Sequence, residues 1–114
     1  PMFLDMQPSD VVVDLCAAPG SKTGQLLDTI MAVDRYKDLM KPETKRGLVV
    51  ANDNNISRCF MLAHQMKRYG CPDLVITHHD AQKFPGQENS FDRVLADVPC
   101  SGDGTIRKAP DIWK

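Results

Sequence analysis

The sequence of 114 residues lacks the features of several large classes of protein. No apolar run approaches the roughly 20 residues that a membrane-spanning helix needs, so we expect no membrane partner. The four cysteines form no C-x-x-C pair and have no metal-ligand spacing, which predicts reduced thiols in an intracellular compartment and no metal site. The formal net charge is only −1, so contact with nucleic acid would have to come from local basic clusters or from other segments.

Both of the common glycine-rich phosphate-binding motifs are also missing. A dinucleotide-binding turn needs three glycines, and a P-loop needs a second glycine where this chain has Ser21. Instead, the segment Val11 to Thr23 (VVVDLCAAPGSKT) is an apolar strand that breaks at Pro19 and Gly20 into a predicted helix. This pattern is typical of a nucleotide-type ligand site at the carboxyl end of a parallel strand, although an ordinary strand-to-helix turn has the same pattern.

The ligand that suits this turn is an adenosine with a zwitterionic amino-acid tail, such as S-adenosylmethionine. The free amides at the start of the helix can bind a carboxylate, and Asp14 or backbone carbonyls can bind an ammonium group. Ser21 or Thr23 can cap the helix, which we expect to begin near Lys22. A turn with a single glycine is ill suited to a pyrophosphate, which disfavours a nicotinamide-dependent oxidoreductase.

Three more apolar segments predict further strands that alternate with helices. Each predicted strand leads into a carboxylate or a small-residue loop, which indicates an α/β, doubly wound parallel sheet with ligands along one edge. Besides residues 11–15, the predicted strands are Gly47 to Asn52, Asp73 to His78 and Phe91 to Ala96, with helices over 25–33 and 54–69 and a surface loop over 34–46.

The second predicted helix and the residue before it carry two more expectations. Asp53 follows the second strand, where a carboxylate commonly accepts hydrogen bonds from ribose hydroxyls. The alternative is that Asp53 caps the helix over 54–69. Helical spacing predicts a core-facing side made by Ile56, Cys59, Phe60, Ala63 and Met66.

Two longer motifs carry a resemblance to a known family. The stretches DLCAAPGSKT at 14–23 and ADVPCSGDGTIRK at 96–108 together resemble the RNA cytosine-5 methyltransferases of the Nop/Sun family. The ending GDGTIRK…DIWK is most similar to the eukaryotic tRNA branch. The resemblance implies S-adenosylmethionine-dependent transfer of a methyl group to carbon 5 of cytosine in RNA, with tRNA as the expected substrate.

The same resemblance implies a fold and a domain organisation. The expected fold is a partial Rossmann-like methyltransferase fold with parallel strands in the order 3-2-1-4. Residues 1–114 would then be the N-terminal part of one catalytic domain, whose later strands lie outside them. The remainder of that domain is therefore an expected partner, together with RNA.

The resemblance also implies binding roles for particular residues. The carboxylate matching Asp80 lies beside the adenine and hydrogen-bonds its exocyclic amine, although Asp80 could instead cap a helix at 81–84. Arg58 matches a position where the family sometimes has a basic residue near the cofactor. The implied cofactor-binding residues are Cys16, Ala17, Ala18, Pro19, Gly20, Ser21, Lys22, Asp53, Asp80 and Asp97.

Asp97 and Cys100 are the candidate catalytic residues. Carbon 5 of cytosine becomes nucleophilic when a thiolate adds to carbon 6, and an acid can hold ring nitrogen 3 and the exocyclic amine as charge develops. From the residues alone, Cys100 would be the attacking nucleophile. In the resembling family, however, the matching cysteine assists release of the covalent adduct, and the attacking cysteine belongs to a downstream motif. No cysteine follows Cys100 here, so we expect these residues alone to be inactive, with a non-catalytic cofactor- or RNA-binding module as the alternative.

Overall fold

The computed structural model of the protein describes residues 2–37 and 46–100. Strands and helices alternate along these residues, as the sequence predicts. None of the helices in the two described ranges is long and apolar enough to cross a membrane. The strands are β1 (Val11–Asp14), β2 (Leu48–Asn52), β3 (Leu74–Thr77) and β4 (Arg93–Leu95), and the helices are α1 (Ser21–Lys37) and α2 (Ile56–Met66), with short 3₁₀ helices at Met2–Leu4, Lys67–Tyr69 and Ala81–Lys83.

The four strands form one parallel sheet in the order β3-β2-β1-β4, which confirms the predicted order 3-2-1-4. In the centre of the sheet, Val13 of β1 lies opposite both Val50 of β2 and Val94 of β4. Because parallel strands end at the same edge of a sheet, the segments that carry the predicted site residues all begin at one edge.

One face of the sheet is covered by the two helices. Successive residues of a strand point to opposite faces, and Val12 and Val49 point to the covered face, where both are fully buried. Burying a side chain of this size contributes about 1.5–3 kcal/mol to the stability of the fold. The side chains of α1 and α2 in the same core are Leu26, Leu27, Ile30, Leu62 and Met66.

The other face carries a row of four valines across the sheet, Val94, Val13, Val50 and Val75, which we call the valine row. Val13 in its centre is 2% exposed, whereas Val75 and Val94 at the edges are 44% and 50% exposed. Right-handed crossovers put α1 and α2 on the same face, because the chain moves from β1 to β2 to β3 in one direction. The described residues therefore leave both ends of the valine row exposed.

Helix α1 confirms the predicted start near Lys22, but it differs from its prediction in the capping residue and in where it ends. It begins at Ser21, and the Thr23 hydroxyl donates a hydrogen bond to Asp14 Oδ2 at 2.8 Å. The expectation that Ser21 or Thr23 caps the helix is therefore wrong, because both lie inside it and the buried carboxylate takes the Thr23 hydroxyl. Residues 34–37 of the predicted surface loop are helical, and residues 38–45 lie outside the described part of the chain.

Gly20 allows α1 to start in direct contact with α2. Its φ of +109° belongs to the left-handed region that favours glycine. A Cβ at this position would lie 2.7 Å from Leu62 Cδ1 and 2.8 Å from Met66 Cε. The glycine of the turn is thus required by backbone conformation and by helix packing.

Helix α2 buries a side that only partly overlaps the predicted one. Cys59, Leu62 and Met66 are buried, whereas Ile56 and Phe60 are 51% and 70% exposed. Positions 59, 62 and 66 follow the spacing of three and four residues that places side chains on one helix face. The expectation is confirmed for Cys59 and Met66 and wrong for Ile56 and Phe60.

Candidate functional site

An open cavity of about 810 Å³ lies at the carboxyl edge of the sheet. Residues that follow each of the four strands contribute to its walls. Arg58 of α2 also lines it. The predicted site residues in this cavity are Cys16, Ala18, Asp53, Asp80, Asp97 and Cys100.

A smaller pocket of about 50 Å³ lies beside it at the start of α1. Cys16, Ala18 and Asp97 line both spaces, so the two adjoin each other. Gly20 is the one predicted site residue that lines neither, since it is buried against α2. The other residues of the small pocket are Asp14, Ala17, Pro19, Ser21 and Lys22.

Asp53 has a buried carboxylate with partners on both sides of the cavity. Its side chain is 2% exposed, and Oδ1 accepts a hydrogen bond from the Asn55 backbone N–H at 3.0 Å. Oδ2 accepts one from the Ala18 N–H at 3.3 Å and lies 3.4 Å from the Arg58 guanidinium. Arg58 also donates to the Ala18 carbonyl. Asp53 and Arg58 therefore bind both the backbone N–H and the carbonyl of Ala18, which holds the turn after β1 against the residues that follow β2.

The alternative role of Asp53 as a helix cap is wrong. The N-cap of α2 is Asn55, whose Oδ1 accepts a hydrogen bond from the Arg58 N–H at 3.1 Å. Asparagine is as good an N-cap as aspartate, and it lies at the position where α2 begins. The Asp53 carboxylate is therefore left to face the cavity and the β1 turn.

Asp80 caps a helix and lines the cavity as well. Its Oδ1 accepts a hydrogen bond from the Gln82 N–H at 3.0 Å, which makes it the N-cap of the 3₁₀ helix Ala81–Lys83. The alternative role of Asp80 as a helix cap is therefore confirmed for its Oδ1 atom. Because a carboxylate has two oxygens and several lone pairs, this bond leaves capacity for a ligand group.

Asp97 and Cys100 lie on the β4 side of the cavity, and both are exposed. Asp97 pairs with Lys22 from the first turn of α1. Their side chains are 54% and 44% exposed, so the pair is a surface contact that links the two sides of the site. Residues 101–114, which carry the rest of the second motif, lie outside the described part of the chain.

Asp14 is a buried carboxylate in the floor of the small pocket. It is 1% exposed, and burial raises the pKa of its carboxyl group, while hydrogen bonds from the Thr23 hydroxyl and the Cys16 backbone oppose that shift. Burial and the carboxylates of Asp53 and Asp14 also raise the pKa of the Cys16 thiol. Cys16 is therefore a neutral thiol in the wall of the site, unsuited to act as a nucleophile.

The charges of the site favour a cationic ligand. The residues that line the two spaces include four carboxylates, Asp14, Asp53, Asp80 and Asp97, against the two cations Lys22 and Arg58. An excess of carboxylates attracts ammonium or sulfonium groups and repels a pyrophosphate. Within residues 2–37 and 46–100, no group of three His, Cys, Asp or Glu side chains could hold a metal ion.

Sequence reasoning missed Asn52, the last residue of β2. Its side chain is fully buried and hydrogen-bonds to residues that follow β1 and to residues at the end of β3. A polar residue at the end of an apolar strand was the only available signal, and it did not reveal which segments the amide would reach.

Comparison with known proteins supports the resemblance seen in the motifs. The sequence model described as "16S rRNA methyltransferase RsmB/F" matches residues 1–114. A tRNA (cytosine(34)-C(5))-methyltransferase of Drosophila melanogaster is 46% identical over 99% of this chain and 16% of its own length. A multisite-specific tRNA:(cytosine-C(5))-methyltransferase of Saccharomyces cerevisiae is 46% identical over 100% of this chain and 17% of its own length.

A solved structure shows the same fold. The crystal structure of NSun6 from Pyrococcus horikoshii with SFG superposes with a TM-score of 0.69 at 26% identity, over 88% of this chain and 23% of that chain. The chain thus spans less than a quarter of the length of each of these proteins. The sheet order, the two motifs and the match along the whole chain agree, and the chain belongs to the 16S rRNA methyltransferase RsmB/F family.

Proposed function

We propose that the protein is an S-adenosylmethionine-dependent RNA methyltransferase that acts on carbon 5 of cytosine. The observation that carries this proposal is the cavity at the carboxyl edge, where carboxylates suited to a cationic adenosine ligand meet Asp97 and Cys100. Family membership and the names of the relatives support the same reaction. The bound cofactor would supply the activated methyl group.

The cofactor-binding residues fit the parts of this ligand. We propose that the ribose lies at Asp53 and the adenine amine at Asp80, whose Oδ2 is not used in capping the 3₁₀ helix. The amino-acid tail would lie at the start of α1, with its carboxylate at the backbone amides and its ammonium near Asp14. The acidic excess of the lining supports this arrangement, because the ligand carries an ammonium and a sulfonium group.

Asp97 and Cys100 would act on the target base. We propose that the Asp97 carboxyl holds ring nitrogen 3 and the exocyclic amine of cytosine, with Lys22 fixing its orientation. Cys100 would assist elimination of the covalent adduct, while the attacking cysteine belongs to another segment of the protein. A cytosine in structured RNA would have to be flipped out of its stack to reach these groups.

The valine row supports a larger catalytic domain of which this chain is a part. Its ends, Val75 and Val94, are half exposed, and an apolar sheet face is normally covered by a second layer. The matched relatives are about six times longer than the stretch they share with this chain. We therefore propose that a further part of the same domain covers the valine row and that activity requires it.

The substrate and the compartment are also proposals. We favour tRNA, because both relatives described above are named for tRNA, although the family is named for 16S rRNA. The cysteines Cys16, Cys59, Cys71 and Cys100 are free thiols, which fits a reducing intracellular compartment.

The test is methyl transfer by the full-length protein, with Cys100→Ser as the informative variant. We expect the wild-type protein to methylate transcribed tRNA, and the variant to lose at least about a hundredfold in turnover. The variant should also accumulate a tRNA–protein adduct that survives denaturing electrophoresis. The matched control is Cys71→Ser, since Cys71 precedes β3 at the opposite end of the strands.

Each outcome separates the candidate functions. Normal turnover by Cys100→Ser without an adduct would contradict the release role of Cys100. Methylation of a 16S rRNA fragment in place of tRNA would keep the chemistry and change the substrate. Cofactor binding without transfer to either RNA would favour a non-catalytic binding module.

A further inference from the structure

Asn52 forms hydrogen bonds on both sides of β2 through one fully buried side chain. Its Nδ2 donates to the Leu15 carbonyl at 3.0 Å and to the His79 carbonyl at 2.9 Å. Its Oδ1 accepts from the Thr77 hydroxyl at 3.0 Å and from the His79 N–H at 2.9 Å. The amide thus uses both of its donors and both acceptor positions of its oxygen, which is the full capacity of this group.

These hydrogen bonds are important because Asn52 lies where the backbone pairing of the sheet ends. The backbone pairing of the sheet ends at Asp14 opposite Ala51 and at Asn52 opposite Thr77. β1 and β3 each lie one strand spacing from β2, on opposite sides, so they are about 10 Å apart and do not contact each other through the sheet. Beyond the last pairs, the Asn52 amide connects the segments that leave these two strands.

Two of the residues held by the amide directly precede a residue that lines the cavity. Leu15 precedes Cys16, which begins the turn that ends at α1. His79 precedes Asp80 on the opposite wall. Asn52 itself precedes Asp53, so one side chain at the start of this wall bonds to the starting points of two others. The Ala17 N–H, which donates to the Asn52 carbonyl at 2.7 Å, adds a backbone bond to the β1 turn.

We propose that Asn52 is a positioning residue that sets the separation between the β1 turn and Asp80. This inference rests on the proposed function, in which the cofactor's amino-acid tail lies at the turn and its adenine at Asp80. The distance between the β1 turn and Asp80 affects the binding only of a ligand that contacts both walls at once. A ligand that reaches only Asp53 and Asp80 depends less on the bridge to Leu15.

The structure suggests which substitution is most informative. Asn52→Asp keeps the shape and the acceptor oxygen that receives Thr77 and His79. It removes both N–H donors and places an oxygen against the carbonyl oxygens of Leu15 and His79, which repel it. Thr77→Val is the matched control, because it deletes one partner of Oδ1 and leaves both bonds from Nδ2 in place.

The test compares two ligands on the full-length protein by calorimetry at a temperature well below unfolding. S-adenosylhomocysteine spans both walls, whereas adenosine lacks the amino-acid tail. We expect Asn52→Asp to bind S-adenosylhomocysteine about tenfold more weakly or worse and adenosine within about threefold of wild type. Thr77→Val should lower the melting temperature without changing the ratio of the two affinities.

Several results would overturn the inference. Equal loss of both ligands by a folded Asn52→Asp protein would indicate a purely structural role, and unchanged affinity for both would indicate none. If Asn52→Asp does not fold, Asn52→Ser decides, since it avoids a buried carboxylate and should show the same change in the affinity ratio. A wild-type protein that binds neither ligand would contradict the proposed function itself.

Discussion

The two sides of the candidate site are built in different ways. On the side of β1, β2 and β3, Asp14, Asn52 and Asp53 are at most 1% exposed as whole residues. Hydrogen bonds of Asn52 and Asp53 cross from the end of β2 to the turn after β1, and Asp14 accepts a hydrogen bond from Thr23 of α1. On the β4 side, Asp97 and Cys100 are exposed, and the surface pair of Lys22 with Asp97 adds a side-chain contact to the backbone pairing of β1 with β4. The side where we propose that the cofactor binds, which we call the cofactor side, is therefore held by buried hydrogen bonds among the described residues, whereas the side where we propose that the base binds is exposed.

The largest effect in this comparison is expected from removing the pair of Lys22 and Asp97. Lys22→Met should change the free energy of unfolding by less than about 1 kcal/mol, because the pair is half exposed. Methyl transfer should nevertheless fall by at least about tenfold, because the Asp97 carboxylate loses the cation that orients it. Measuring turnover and thermal unfolding on the same full-length samples checks both expectations.

The control for this variant is Lys67→Met, which makes the same change in the exposed Lys67 at the end of α2 and should leave turnover unaltered. Unchanged turnover of Lys22→Met would show that Asp97 does not need its partner. A large loss of stability would show that the β4 side is held as firmly as the buried side of the site.

A smaller effect is expected from Asp14→Asn, a substitution on the buried side of the site. Because burial raises the folded-state pKa of Asp14, the wild-type protein gains stability as the pH falls through that pKa and loses it as the pH rises. The variant removes the buried charge, so at neutral pH its free energy of unfolding should exceed that of the wild type by about 1 kcal/mol or less. It should accordingly unfold at a higher denaturant concentration. The difference should disappear below about pH 3.9, the ordinary pKa of an exposed aspartate.

Denaturant titrations from acid to neutral pH would measure this difference. Thr23→Val is the opposing control, since it takes away the hydroxyl that donates to the Asp14 carboxylate and should destabilise the protein at neutral pH. An Asp14→Asn protein that is less stable than wild type at neutral pH would contradict the expected sign.

The strands of the sheet could be predicted because the sequence patterns that indicate them are local. Short apolar runs mark the strands, and the carboxylates that follow them, such as Asp53 and Asp80, mark the ligand edge. The motifs, through the family resemblance, then predicted the order 3-2-1-4, which the structure confirms. The roles of the individual site residues stay predictions until binding and turnover are measured.

The missed features depend on contacts between distant segments. Helix α2 has apolar residues on more than one side, so spacing alone could not show that Leu62 is buried and Phe60 exposed. The partner of Thr23 is a carboxylate nine residues earlier, and the Asn52 amide joins residues from two other strands. Such side-chain hydrogen bonds are decided by tertiary packing, which a single sequence does not record.

The most direct test of the account is a calorimetric titration of the full-length protein with S-adenosylhomocysteine, wild type beside Asp53→Ala. We expect the wild-type protein to bind and the variant to bind at least about tenfold more weakly, because the carboxylate at the centre of the cofactor side is gone. Circular dichroism of the same samples would show whether the variant is folded. A folded wild-type protein that does not bind the ligand, or a folded variant that binds it equally well, would contradict the placement of the cofactor at this edge of the sheet.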